Sequence, residues 1–263
     1  MKRVALNADD FGLNELVTRG ILDSLAAGAV QTVGCMSTTP LWSEHARRLR
    51  EFPQVDVGLH LNLTEAPIGL SMPLKKLIVA AYRGKLPEAD LKRTIALQLD
   101  AFEQARGAAP AFVDGHQHVH QLPQVRDALL AQMTQRYGKR CVIRNTVPAH
   151  WRGQKAAIIG LLGGRTLRGM AREARLPLNA DFAGVYGFDD GLPYLQRLQT
   201  WLQSAKDGTL LMCHPGQVGR FDGSDPIAAA RVRELLCLAD RGVMRQLSET
   251  LDVQWVRFSE IAR

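Results

Sequence analysis

The amino-acid sequence predicts an α/β fold: a distorted (β/α) barrel of about seven parallel strands in a single domain spanning residues 1–263. Three observations carry that expectation. Short runs rich in Val, Ile and Leu alternate with longer stretches of helical period, the pattern of parallel strands joined by crossover helices. No internal repeat, low-complexity tract or Pro/Gly/Ser-rich linker divides the chain. Polar and ionisable residues gather where the expected strands end, and in a (β/α) barrel that rim holds the functional site. A doubly wound open sheet also fits the alternation; the placement of the polar residues favours the barrel.

The expected strands are Val4–Ala8, Val30–Met36, Val55–Leu61, Phe112–Asp114, Val142–Arg144, Thr209–Cys213 and Val253–Val256. Helix punctuation falls between them. Pro87 suits the first turn of a helix whose Leu91, Ile95, Leu99 and Phe102 share one face, and Gly107 suits its end. Asp225 and Pro226 read as the N-cap and first helical residue of a segment running through Arg231, Leu235 and Leu236.

Apolar residues at 46% and charged ones at 22% exclude a disordered chain, a collagen-like chain and a disulfide scaffold. The four cysteines form no C-x-x-C pair and the amino terminus lacks a secretory pattern, so a reducing cytoplasm is expected. The longest apolar runs, Leu77–Tyr82 and Ala156–Leu162, fall far short of the roughly 18 residues of a membrane span.

The formal charge of +7 is local: residues 139–175 hold nine basic side chains and one acid, Glu173, so they carry +8 and the remainder −1. This stretch reads as a basic helical insertion. Arg165, Arg168, Arg172 and Arg175 recur at helical spacing with no aromatic ladder for stacking bases, which argues against nucleic acid. The plain reading is a solvated helix face beside the core or a subunit contact, compatible with a homodimer. A sharper one is peripheral contact with an anionic membrane or a glycolipid.

The chemistry-bearing residues follow successive strands. Asn7, Asp9 and Asp10 come at the end of the first, His60 and Asn62 at the third, Asp114, His116, His118 and His120 at the fourth. Arg144 follows the fifth and His214 the sixth. Singly, each has an ordinary explanation: Asp-Asp as a turn and cap, His60 between two leucines as a hydrogen-bonded core residue. Together they point to a divalent metal. Adjacent carboxylates repel unless a cation is near, and an Asp with two imidazoles is a common binding set. Three protein ligands leave room for water and substrate, as catalysis requires. Residues two apart face alike in a strand but diverge in a loop, so at least one of the three alternating histidines supports the metal set rather than joining it. His45 and His150 have no partners in the sequence and receive no role.

Four blocks in order, Asn7-Ala8-Asp9-Asp10-Phe11-Gly12, Gly58-Leu59-His60-Leu61-Asn62-Leu63-Thr64, Asp114-Gly115-His116-Gln117-His118-Val119-His120 and Cys213-His214-Pro215-Gly216, resemble the YdjC-like carbohydrate deacetylase family. That family includes a branch associated with hopanoid biosynthesis. The resemblance implies a barrel related to the NodB-type polysaccharide deacetylases, using a divalent metal to remove acetyl from an N-acetylated sugar, on an oligosaccharide or a glycolipid headgroup. It implies Asp10, His60 and His116 as metal ligands, Asp9 as catalytic base and His214 as the late-acting acid, with Arg144 as a charged neighbour. Asn7, Asn62, Asp114, His118 and His120 are left to support the ligands or bind substrate. The resemblance favours Mg2+ or Zn2+; the ligand set alone also accepts manganese or iron. Two alternatives stand beside it. A phosphoester hydrolase uses the same residue types, although no P-loop or G-x-G-x-x-G follows a strand. A metal-stabilised sugar-binding module needs the ligands but neither Asp9 nor His214.

Overall fold

The computed structural model describes residues 1–219 and 225–263. Among these residues eight strands, all parallel, form one sheet: β1 (Lys2–Phe11), β2 (Thr32–Cys35), β3 (Asp56–Leu61), β4 (Phe112–Gly115), β5 (Val142–Ile143), β6 (Asp181–Ala183), β7 (Thr209–Cys213) and β8 (Val253–Trp255). The order is β5-β4-β3-β2-β1-β7-β6, with β8 on β1. β1 is long enough to serve two neighbours on one edge, β8 along Lys2–Val4 and β2 from Asn7 onward. The sheet curls until its outer strands nearly meet. Across that seam Ile143 bridges to Leu178, the Asn145 N–H donates to Asn179 Oδ1 at 2.8 Å, and Asn179 Nδ2 donates to the Asn145 carbonyl at 2.8 Å. Side-chain amides thus close a barrel that the ladder leaves open. Seven of the strands lie where the sequence places them. β6 went unpredicted because three residues opening on Asp181 make no apolar run.

Strand period divides the sheet into two faces. Val4, Leu6 and Ala8 pack outward in the main core, while Ala5 lies inward with Phe112, Val142, Phe182 and Leu210. The short helix Phe258–Ile261 closes the base of this inner layer, its Phe258 ring 5.2 Å from that of Phe112. Gly58 makes room there, since a Cβ would lie 2.4 Å from the Phe112 ring. The same parity that turns Ala5, Phe112 and Val142 inward turns Asp9, Asp114 and Arg144 inward one or two residue pairs later. The interior is therefore apolar at the base and charged at the carboxyl-terminal rim.

The helix Glu15–Ala26 is capped by Asn14, whose side chain accepts from the Val17 N–H. The helix Glu88–Arg106 buries Leu91, Ile95, Leu99 and Phe102 and ends on Gly107 at φ +69°. The segment after Asp225 differs from expectation: the helix is Ala228–Leu238, and Pro226 and Ile227 form a turn. The Asp225 carboxylate accepts from the Ile227 N–H at 3.1 Å and from Arg231 Nε at 2.7 Å, so this ion pair replaces the N-cap.

Residues 139–175 contain β5, the helix Gln154–Ile159, a kink at Leu162 and Gly163, and the helix Arg165–Glu173. Two of the nine basic side chains turn inward: Arg144 is wholly buried, and Arg152 pairs with Asp181 at 2.6 Å. Arg165, Arg172 and Arg175 are exposed, and the same segment exposes Trp151, Ile158 and Leu161. Among the described residues, no helix is long and apolar enough to cross a membrane.

Candidate active site

In a regular strand Asp9 and Asp10 would face opposite sides of the sheet. Instead the β1–β2 register slips between Ala8 and Phe11, and Asp10 takes φ +74°. This left-handed turn brings both carboxylates to the rim, and Asp tolerates it better than most residues. A polar relay backs the turn. The Gly12 N–H donates to Thr18 Oγ1, which lies 3.1 Å from His45 Nδ1, and His45 Nε2 lies 2.9 Å from Glu15. His45, given no role from sequence, is thus a buried support for the loop after Asp10.

The two aspartates serve separate clusters. Asp10 Oδ1 lies 2.8 Å from His116 Nδ1 and 3.2 Å from His60 Nε2. Asp114 Oδ1, 2.7 Å from His60 Nδ1, fixes that ring so that its other nitrogen faces Asp10. The outer oxygen of Asp10 accepts from Arg231 Nη2 at 2.8 Å. Ligand atoms of Asp10, His60 and His116 lie within 4.8 Å of one another, and His116 Nε2 is buried with no hydrogen-bond partner among the described residues. A carboxylate and two imidazoles converging in this way fit a divalent cation. Asp9, His60 and Asp114 converge as closely. There, however, Arg144 already supplies the positive charge: it donates to both Asp9 oxygens, at 2.7 and 2.6 Å, and pairs with Asp114.

Burial opposes ionisation of Asp9, but the attraction and hydrogen bonds of Arg144 outweigh it and hold the carboxyl below the usual carboxylate range. Asp10 is likewise depressed against its burial, by His116 and then Arg231. Burial lowers the His60 and His116 pKa values, yet Asp114 and Asp9 raise the first to about 10 and Asp10 the second to about 8. Asn7 Nδ2 donates to Asp9, and His214 Nε2 stands 3.8 Å from Asp9 Oδ2.

The alternating histidines diverge because the chain leaves β4 through a turn with Gln117 and His118 at φ +52° and +61°. His116 goes to Asp10. His118 lines the cavity with its ring edge-on to Phe182, and burial, then Arg144, push its pKa down to about 3. His120 turns inward, its Nε2 3.2 Å from the Arg144 carbonyl. Gly115 permits this crossing, since a Cβ there would lie 2.9 Å from the His120 nitrogen. Asn62 does not reach the cavity; its Oδ1 accepts from the Thr64 and Glu65 N–H groups and shapes the loop that brings Glu65 within 3.5 Å of His116.

Sequence reasoning missed Glu65, Tyr186, Arg231 and Glu234. A signal existed for two of them. Arg231 and Glu234 sit three apart on the helix Ala228–Leu238, in phase with buried Leu238, so a charged pair occupies core-facing positions. Glu234 is fully buried, its oxygens accepting from the His214 N–H and the Tyr186 hydroxyl, both at 2.5 Å. Burial raises its pKa despite His214 and Tyr186.

Asp9, Asp10, His60, His116, His214 and Arg231 line one cavity of about 690 Å³. Its walls are largely apolar, with Ile158, Ile159, Val185, Tyr186, Phe188 and Met212, and Lys155 brings a cation to the same wall.

The chain is similar to a carbohydrate deacetylase of Geobacillus stearothermophilus, at 30% identity over 271 residues covering 97% of this chain and 96% of the relative. Among solved structures it resembles a protein of Enterococcus faecalis V583 named for cellobiose-phosphate cleavage, with a TM-score of 0.73 and 20% identity over 100% of this chain and 99% of the other. A family 4 acetyl xylan esterase from Clostridium thermocellum, solved with a cobalt ion, shares the fold at TM-score 0.51 and 14% identity over 99% and 90% of the two chains. The family model described as YdjC-like protein matches residues 3–249, and the chain therefore belongs to that family.

Proposed function

We propose that this protein is a metal-dependent hydrolase that removes the acetyl group from an N-acetylated sugar. One observation carries the reading: a metal-fitting set of Asp10, His60 and His116 stands beside a second carboxylate, Asp9, which Arg144 keeps ionised and which faces His214 across 3.8 Å. A binding module has no use for that second pair. The similarity to a carbohydrate deacetylase supports the same class.

Amide hydrolysis needs a nucleophilic water, stabilisation of an oxyanion and a proton for the departing amine. When bound, a divalent cation, Mg2+ or Zn2+, supplies Lewis-acid polarisation of the carbonyl and a lowered pKa for water. Asp9 takes the proton of the attacking water, and Arg144 holds both of its oxygens so that the carboxylate stays ionised and aimed. His214, 3.8 Å from Asp9, delivers a proton to the leaving nitrogen. His118, kept neutral by burial, lines the same cavity. The charges of Arg144 and Arg231 are matched by Asp9 and Asp114 and by Asp10 and Asp225, which speaks against a phosphoester substrate.

The aliphatic wall of Ile158, Ile159, Val185 and Met212 favours, of the two substrate forms, a glycolipid headgroup over a long oligosaccharide. Exposed Trp151, Ile158 and Leu161 beside Arg165 and Arg172 suit contact with an anionic lipid surface, which binding to anionic vesicles that weakens with salt tests.

Acetate release from a panel of N-acetylated oligosaccharides and glycolipids, abolished by chelator and restored by metal, is the expected result. Absence of acetate from every member overturns the function. Asp9→Asn should keep its metal while kcat falls by about 10²–10⁴-fold; His116→Ala should lose the metal. Turnover that survives Asp9→Asn removes Asp9 as the base.

A further inference from the structure

Glu234 touches neither Asp10, His60 nor His116, yet it is wholly buried and both its oxygens are engaged. One accepts from the backbone N–H of His214 and the other from the hydroxyl of Tyr186, a residue of the cavity wall. The same Tyr186-side oxygen lies 4.0 Å from His214 Nδ1, a buried nitrogen with no hydrogen-bond partner among the described residues. His214 is further confined by the Phe188 ring, edge-on at 5.2 Å. Three chain segments thus meet at one carboxylate: the loop after β7, the loop after β6 and the helix Ala228–Leu238. A buried charged side chain persists only where its hydrogen bonds are filled, and these bonds set where the His214 backbone stands.

We propose that Glu234 is a positioning residue for His214, tying the acid-bearing loop to the Tyr186 wall against which the substrate rests. The inference rests on the deacetylase reading, in which His214 protonates the leaving amine. A proton donor must stand within roughly 2.6–3.2 Å of its acceptor, and a displacement of about 1 Å can cost on the order of 10²-fold in rate. Glu234→Gln keeps the shape, but its single carbonyl can accept from only one of the two donors, and its amide N–H groups oppose the other.

The test is a double-mutant cycle on the metal-loaded enzyme, read as acetate release. Glu234→Gln should lower kcat by about tenfold or more, with KM and metal content within about twofold of wild type. In a His214→Ala background the same substitution should change kcat by less than about twofold, because a residue that acts through His214 has nothing left to position. Tyr186→Phe, which removes one of the two donors, should give a smaller loss that also vanishes in that background; it carries the test if Glu234→Gln does not fold. Equal losses with and without His214, or loss of metal, overturn the positioning role while leaving the deacetylase reading intact. A His214→Ala enzyme as fast as wild type overturns the acid assignment and the proposal with it.

Discussion

Arg144 and Arg231 hold neighbouring carboxylates for different ends. Arg144 grips both oxygens of Asp9 and also meets Asp114, so its removal strands two buried acids. Breaking a buried pair of this kind costs about 3–5 kcal/mol, and Arg144→Met is expected to lower stability by that amount in urea unfolding. Arg144→Lys should fare little better, since an ammonium cannot bind both oxygens in parallel. Arg231 meets only the outer oxygen of Asp10 and has Asp225 as a second partner. Arg231→Met should therefore act mainly on the proposed cation site, weakening divalent-metal affinity by about 10–100-fold in a calorimetric titration. An unchanged affinity would show that Asp10 needs no second contact to hold its orientation.

At the scale of elements, the barrel is built in two storeys that the strand period keeps in register. The lower storey depends on Phe258, delivered by a helix of four residues whose N-terminal amides donate to Thr32 and Asp56. Phe258→Ala opens a void against Phe112 and should cost about 3–5 kcal/mol. Because the rim side chains stand one or more residue pairs further along the strands than this layer, metal affinity of the folded protein should stay within about twofold. A parallel collapse of metal binding would mean that the two storeys are coupled. Gly58→Ala approaches the same layer from the other side: a methyl group 2.4 Å from the Phe112 ring should destabilise by about 1–3 kcal/mol.

For the whole molecule the weak point is the seam between β5 and β6, where no continuous ladder runs. Asp181 sits at its edge. It accepts from the Ala149 N–H at 2.7 Å, from Arg152 at 2.6 Å and from Thr209 at 2.9 Å, joining the 149–152 loop to β6 and β7. Burial opposes its ionisation, but the Ala149 N–H and Arg152 prevail and hold its pKa below the ordinary value. A depressed carboxylate contributes stability that is complete above the unfolded pKa of about 3.9 and is lost as pH falls through the folded value. Asp181→Asn should thus destabilise the protein at neutral pH by about 3 kcal/mol and flatten the acid limb of its stability curve. Identical acid limbs in the two proteins would remove Asp181 from the closure of the barrel.

The sequence by itself determined the class of the fold and the inventory of its rim. Apolar runs long enough to register revealed seven strands, and four motif blocks nominated residues that the structure brings to one end of the barrel. Short-range signals fail where an element or a contact depends on distant partners. β6 opens on Asp181 and so leaves no apolar run, and Asp225 trades its cap for Arg231. Asn62 spends its side chain on two backbone amides of its own loop. The three alternating histidines part only because Gln117 and His118 adopt left-handed backbone, and no spacing in the sequence records that. Arg231 and Glu234 fall in phase with Leu238, yet that spacing names no partner for either charge. Their burial, the assignment of Arg144 to Asp9 and Asp114, and the pairing of Glu234 with His214 were decided by tertiary structure. The physical reason is common to all three: a charge can be buried only where opposite charges and hydrogen bonds from other segments already wait, and those segments are hundreds of residues apart in sequence or on different elements.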